Sequence, residues 1–260
     1  MNNENFIAKS FIDSSINNSE RIYPILYSFV VSNKTYDETL KDATKKLGIT
    51  EEAYHRDMKE LFTIKGIVMT EDKYIKNLKN KVLTPRPCIA SYLMLLGFNK
   101  NSEGFKYISL AVLDGNNRGG KETCIKEASE VFGVTEDVFK SKIKECLDTV
   151  EETKGMDAAD GIAYVRNKLI KPTEQIVNRI IEGGVPSDSN ALNYLSTMVK
   201  LIMLGNKVYN VYNLEASMLH GVLLRTFSSG VREAVVTSEN GDCDKNVFEF
   251  LKGVCYSLWE

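Results

Sequence analysis

One stretch of this sequence is written three times. Ala43-Thr44-Lys45-Lys46-Leu47-Gly48-Ile49-Thr50-Glu51-Glu52 lines up, 85 residues later, with Ala128-Ser129-Glu130-Val131-Phe132-Gly133-Val134-Thr135-Glu136-Asp137. The match runs on through Tyr54/Phe139, Met58/Ile143, Lys59/Lys144 and Glu60/Glu145. A third copy follows 88 residues further on: Glu127-Ala128-Ser129 returns as Glu215-Ala216-Ser217, Gly133-Val134 as Gly221-Val222, and Phe139, Ile143 and Lys144 as Phe227, Val231 and Arg232. A separate landmark, Gly97 with Tyr107 and Ile108, recurs as Gly184 with Tyr194 and Leu195 at an offset of 87. A repeat of this length means that one supersecondary unit is used several times, so it constrains the architecture before any single residue does. Proline interrupts helical continuation at Thr84-Pro85-Arg86-Pro87 and at Lys171-Pro172, which divides the chain into units 1–83, 84–171 and 172–260. The first unit lacks a clear version of the front landmark and reads as shorter there.

The periodicity within a unit is helical. In the second unit Ile89, Leu93 and Leu96 form one apolar face, and Phe105, Ile108 and Val112 form the next, with Gly97-Phe98-Asn99-Lys100-Asn101 between them. Cys124, Ala128, Val131 and Phe132 give a third helix that stops at Gly133. Thr135, followed by two acids, then caps a fourth helix that carries Phe139, Ile143 and Cys146. A helix ended by glycine, a turn of about three residues and a newly capped helix is the pattern of a helix-turn-helix. The same spacing reads through Leu40, Ala43, Leu47, Gly48, Thr50, Tyr54 and Met58. Each unit closes on another amphipathic segment: Tyr74 to Leu83, Ile162 to Ile170 and Val247 to Leu258. No alternating strand pattern exceeds a few residues. The expectation is an all-α chain of three tandem helical bundles, each with a helix-turn-helix.

Composition narrows the function classes. With 43% hydrophobic and 26% charged residues, the 260-residue chain has the balance of a globular protein. Lys+Arg 33 against Asp+Glu 35 leaves a formal charge of −2, so any nucleic-acid site must be a local patch rather than a general basic field. The start Met1-Asn2-Asn3-Glu4-Asn5 has no signal-peptide layout, and no stretch approaches a membrane span, so a cytoplasmic protein without membrane attachment is expected. Five cysteines without a Cys-x-x-Cys pair read as buried thiols, and the two histidines, His55 and His220, stand alone. No metal or other cofactor is expected.

The order of elements resembles a known family. Ile180-Ile181-Glu182-Gly183-Gly184-Val185-Pro186 opening into Tyr194-Leu195, and Ala128 to Phe132-Gly133-Val134-Thr135 followed by Phe139 and Ile143-Lys144, are similar to the C-terminal DNA-binding effector domain of the sporulation master response regulator of spore-forming Firmicutes. The resemblance covers nearly the whole chain, three times over. It implies a helical bundle that binds a short duplex DNA element and acts in transcription. It also implies a regulator without the family's phosphorylated receiver domain, because residues 1–20 are too few to form one.

The helix after the turn is the one that would enter a major groove. Its outward positions by register are Glu52, His55, Arg56 and Lys59 in the first unit, Asp137, Lys140, Ser141 and Lys144 in the second, and Arg225, Ser228, Ser229 and Arg232 in the third. Lys59, Lys144 and Arg232 match a basic position of the family's helix and are the expected phosphate anchors, with double-stranded DNA as the partner. The units carry 13 basic and 12 acidic residues, 13 and 13, and 7 and 10. The acidic third unit is therefore the expected module for a protein partner or for a homo-oligomer. The competing expectation is an interaction scaffold that kept the fold and lost the DNA face.

Two motifs are set aside. Gly115-Asn116-Asn117-Arg118-Gly119-Gly120-Lys121 satisfies G-x-x-x-x-G-K, but Glu122 stands where a hydroxyl would be needed for Mg²⁺, so it reads as a turn. Asp157 and Asp160 lack the ligand run of a Ca²⁺ loop and read as a helix N-cap. Nothing in the sequence reads as an active site, and no enzyme is expected.

Overall fold

The structure is a computed structural model that describes residues 4–16, 22–115, 121–205, 209–235 and 243–259. Among these residues all regular secondary structure is helical. Residues 1–83 contain α1 (Phe6–Ile16), α2 (Tyr23–Val31), α3 (Tyr36–Leu47), α4 (Glu51–Lys65) and α5 (Glu71–Leu83). Residues 84–171 contain α6 (Pro87–Leu95), α7 (Glu103–Ala111), α8 (Lys121–Phe132), α9 (Glu136–Leu147) and α10 (Ala158–Ile170). Residues 172–260 contain α11 (Glu174–Glu182), α12 (Asn190–Leu204), α13 (Tyr209–Leu219), α14 (Leu224–Val235) and α15 (Cys243–Ser257). The expected boundaries fall between α5 and α6 and between α10 and α11. No described helix is long and apolar enough to cross a membrane.

Local chemistry accounts for most helix starts. Thr35, Thr50, Thr70, Ser102, Thr135 and Thr173 each stand at an N-cap and accept a backbone N–H of the first turn. Asp157 caps α10 through Asp160 N–H at 2.8 Å, which is the role expected of it. The expected apolar stripes are buried: Ile89 and Leu93 on α6, Phe105 and Ile108 on α7, Ala128 and Val131 on α8. Cys88, Cys124, Cys146 and Cys255 are buried free thiols. The Asn116 to Gly120 part of the G-x-x-x-x-G-K loop lies outside the described residues.

Two features of the front region were not expected. Residues 1–83 are not short of helices, because α1 and α2 precede α3 and complete the same number that follows in the other two segments. The buried residues also form one continuous core that runs through all three segments. The helix α1 packs on α2 and α5 of its own segment and on α8, α13 and α14 of the other two, while α6 packs on α7 and also on α12 and α13.

The joints between segments are made by two glutamates at repeat-equivalent positions. Phe6 N–H, in the first turn of α1, donates to Glu127 Oε2 on α8 at 2.6 Å, and Asn5 Nδ2 donates to the Glu127 carbonyl at 2.7 Å. Ile89 N–H, in the first turn of α6, donates to Glu215 Oε2 on α13 at 3.2 Å. Helix α6 needs this, since Arg86 at its N-cap supplies no side-chain acceptor. In both places the carboxylate that satisfies orphan first-turn donors comes from the following segment. A further joint runs from Gly115 N–H to the Met218 carbonyl at 2.9 Å.

Burial has a cost for these carboxylates. Burial, reinforced by nearby Asp114, pushes Glu127 up to about 7. Burial pushes Glu215 up to about 7 against the opposing pull of Arg86, whose Nε lies 3.8 Å from Oε1. His220 is shifted the other way, down to about 4, because it is buried among Tyr194 and Phe227 with Nε2 2.8 Å from Thr197 Oγ1.

A carboxyl that is more basic when folded binds its proton preferentially in the folded chain. Its contribution to stability is complete below the ordinary value of 4.5 and is lost as pH rises through about 7. His220, whose proton is disfavoured in the fold, has the opposite slope between about pH 4 and its ordinary value of 6.5 and offsets part of the fall there. The thermal midpoint should therefore drop from about pH 4.5 to about pH 7 and level off above it. A Glu127→Gln/Glu215→Gln double variant should flatten the profile in that window, and an unchanged slope would contradict the assignment.

Candidate nucleic-acid interface

Three helix pairs share one local construction. Helix α3 ends at Gly48 with φ 66°, α8 at Gly133 with φ 72° and α13 before Gly221 with φ 67°. Each left-handed glycine lets the following N–H turn back into the helix end: Ile49 to the Thr44 carbonyl at 3.1 Å, Val134 to Ser129 at 3.2 Å and Val222 to Ser217 at 3.0 Å. The next helix starts after Thr50 and after Thr135, while Leu223 holds that place before α14. The inner side of α4, α9 and α14 is anchored by Tyr54, Phe139 and Phe227, all fully buried, and one turn later by Met58, Ile143 and Val231. Tyr107 packs on Phe132 and Phe139 at ring distances of 4.4 and 5.0 Å, and Tyr194 packs on His220 and Phe227 at 5.0 and 4.8 Å. His220 thus stands where the second unit has Phe132.

The outer sides differ in charge. On α4, His55 Nδ1 meets Glu71 Oε2 at 2.7 Å, Arg56 Nε lies 3.4 Å from Asp57, and Lys59 is exposed beside the turn that leads to α5. On α9, Asp137 is exposed and the cations are matched by acids: Lys140 with Glu136 at 4.0 Å, Lys142 with Glu145 at 3.2 Å and Lys144 with Asp148 at 3.4 Å. Ser141 Oγ donates to Glu145 at 3.5 Å. On α14, Arg225, Ser229 and Arg232 are exposed at i, i+4 and i+7, and Glu233 is the helix's one acid. By charge, α14 is the most cationic of the three, whereas composition had marked its segment as the acidic one. Apart from Glu233, the described acids of that segment sit on other elements.

Helix α14 also borders a groove that sequence spacing did not reveal. A cavity of about 1190 Å³ opens between the first and third segments, lined in part by Lys65, Lys81, Arg86 and Arg232. No Asp or Glu lines it among the described residues. The only foretaste in the sequence was the Thr84-Pro85-Arg86-Pro87 linker, which forms one wall. Among the described residues no group of three or more His, Cys, Asp or Glu side chains is placed to hold a metal ion.

No family model matches the chain, and no curated protein or solved structure matches it.

The two glycines at the turns differ in a way that a substitution can read. A Cβ at Gly48 would meet open space, so Gly48→Ala should cost only the left-handed backbone, about 1–2 kcal/mol. A Cβ at Gly133 would come within 2.0 Å of Asn33 Oδ1, in the loop before α3. Urea unfolding should therefore show a larger loss for Gly133→Ala than for Gly48→Ala; equal losses would mean that the approach of Asn33 is not maintained in solution.

Proposed function

We propose that the chain is a DNA-binding transcriptional regulator built from three helix-turn-helix units similar to the sporulation regulator's effector domain, and that α14 is its principal contact helix. The observation that carries this reading is the outer face of α14. It combines two arginines with Ser229, a small residue that permits close approach, and its apolar side is anchored on Phe227 and Val231. Arginine suits bidentate contact to guanine edges and phosphates, which lysine serves only as a point charge. Arg56 and Lys59 on α4 extend the contact set, with Lys59 and Arg232 at matching repeat positions as phosphate anchors.

The α9 set, Lys140, Ser141 and Lys144, is the weaker part of the interface. Exposed pairs of this kind are worth about 0–1 kcal/mol, so the lysines can exchange an acid for a phosphate, but the acids around them repel a nucleic-acid backbone. This favours a second role for α9 as a protein-facing surface. It is the one observation that supports the scaffold reading, and it applies to the second unit alone.

Fluorescence anisotropy with a pool of duplex DNA, at several salt concentrations, tests the proposal. Log affinity should fall linearly with log salt. Arg225→Glu should weaken binding by about tenfold or more and lower the salt slope by about 1, whereas Lys140→Glu/Lys144→Glu should change affinity by less. Absence of salt-dependent binding, or indifference to Arg225→Glu, would overturn the assignment of α14.

A further inference from the structure

We propose that the turn between α4 and α5 is a further DNA-contacting element, an apolar ridge that enters the minor groove beside the major groove addressed by α4. The proposal rests on the DNA-binding reading and extends it to a new part of the chain. The ridge runs from Gly66 to Thr70. Val68 at its crest is 97% exposed, Met69 beside it 39%, and Ile64 in the last turn of α4 73%. Single exposed apolar residues are ordinary on a protein surface, but three on one narrow element mark a place that another molecule covers. The other two segments do without it. The connection between α9 and α10 contains Glu151-Glu152-Thr153-Lys154, and that between α14 and α15 contains Thr237-Ser238-Glu239-Asn240-Gly241-Asp242. The apolar crest is therefore not a requirement of the repeated fold.

The ridge is held at both ends. Gly66, with φ 61°, closes α4 and lets the Ile67 N–H return to the Phe62 carbonyl at 2.8 Å. Thr70 caps α5, and Asn77 Nδ2 on α5 reaches Met69 Sδ at 3.7 Å. The rings of Phe62 and Tyr74 meet edge to face at 5.2 Å and tie α4 to α5. A turn fixed in this way can enter a groove without the cost of ordering a loop.

Charge decides what kind of surface it meets. Ile67 and Met69 line a hollow on each side of the ridge. Lys59 stands in one hollow, and Lys65 and Lys81 stand in the other; all three are exposed and make no ion pair among the described residues. Glu71 lines the first hollow, but its carboxylate is engaged by His55 Nδ1 at 2.7 Å and by the Tyr36 hydroxyl at 3.1 Å. The exposed Glu60 and Asp72 line neither hollow. An apolar crest between cationic flanks is the inverse of the minor groove, which has a phosphate strand along each edge and sugars and base edges inside. On this docking Lys59 meets the strand that divides the two grooves, and Lys65 meets the strand on the far side.

Fluorescence anisotropy with two duplex pools, one with guanine and one with inosine in its place, tests the assignment. Inosine lacks the amino group that guanine presents in the minor groove and keeps the same major-groove acceptors. The chain should bind the inosine pool about threefold or more tighter. Val68→Asp should lose that preference and bind about fivefold or more weaker, with its thermal midpoint in place because the side chain is exposed. Lys65→Gln should lower the salt slope by about 1. Salt-dependent binding that responds to Arg225→Glu but not to inosine or to Val68→Asp would overturn this proposal and leave the DNA reading standing, whereas absence of salt-dependent binding would overturn both. Loss of self-association in Val68→Asp by sedimentation, with DNA affinity intact, would make the ridge a contact between copies and overturn it as well.

Discussion

The whole arrangement depends on two carboxylates that cap helices outside their own segment. The start of an α-helix leaves backbone donors unpaired, and burying that start without an acceptor is expensive. Helices α1 and α6 are both buried at their starts; Asn5 Oδ1 accepts the Ala8 N–H of α1 at 3.0 Å, and Glu127 and Glu215 accept the Phe6 and Ile89 N–H groups. Each segment therefore depends on the next one, and the three segments become a single body with a continuous core. The chain of dependence also has two closed ends. Asp42, the repeat equivalent of Glu127, is exposed and pairs with Lys34 at 2.5 Å, and α11 is capped by its own Thr173. Terminal units that satisfy themselves are what a repeat array needs in order to stop.

Much of this fold can be read from the sequence, and what cannot has a physical reason. The pairs α3/α4 and α8/α9 are legible because one face of each helix is wet, so Leu40, Tyr54 and Met58 or Val131, Phe139 and Ile143 stand out at helical spacing. Helix α1 is not legible in that way. Phe6, Ile7, Ala8, Phe11 and Ile12 are buried around most of its circumference, since five other helices surround it, and a helix that is dry all round shows no periodic stripe. The repeat does align Glu127 with Glu215. Their role stays hidden because the donors they satisfy lie 121 and 126 residues away.

The interface follows the same division. Register places His55, Arg56, Lys59, Lys140, Ser141, Lys144, Arg225, Ser229 and Arg232 on exposed or partly exposed positions of the three second helices. What register cannot show is which acids lie beside them. The ion pairs along α9 and the charges of α14 itself, two arginines to one glutamate, reverse the order suggested by the charge of whole segments, because net charge says nothing of where the charges sit. The groove beside α14 arises from packing between segments, so no local pattern announces it.

Hydrogen exchange at two amides tests the central claim most directly. First-turn amides of a helix ordinarily exchange fast, because water is their only partner. If α1 and α6 are capped across segments by Glu127 and Glu215, the amides of Phe6 and Ile89 should exchange only with global unfolding, while those of Glu174 and Gln175 at the exposed start of α11 exchange rapidly. Fast exchange at Phe6 and Ile89, equal to that at the start of α11, would show that the segments are not joined in this way.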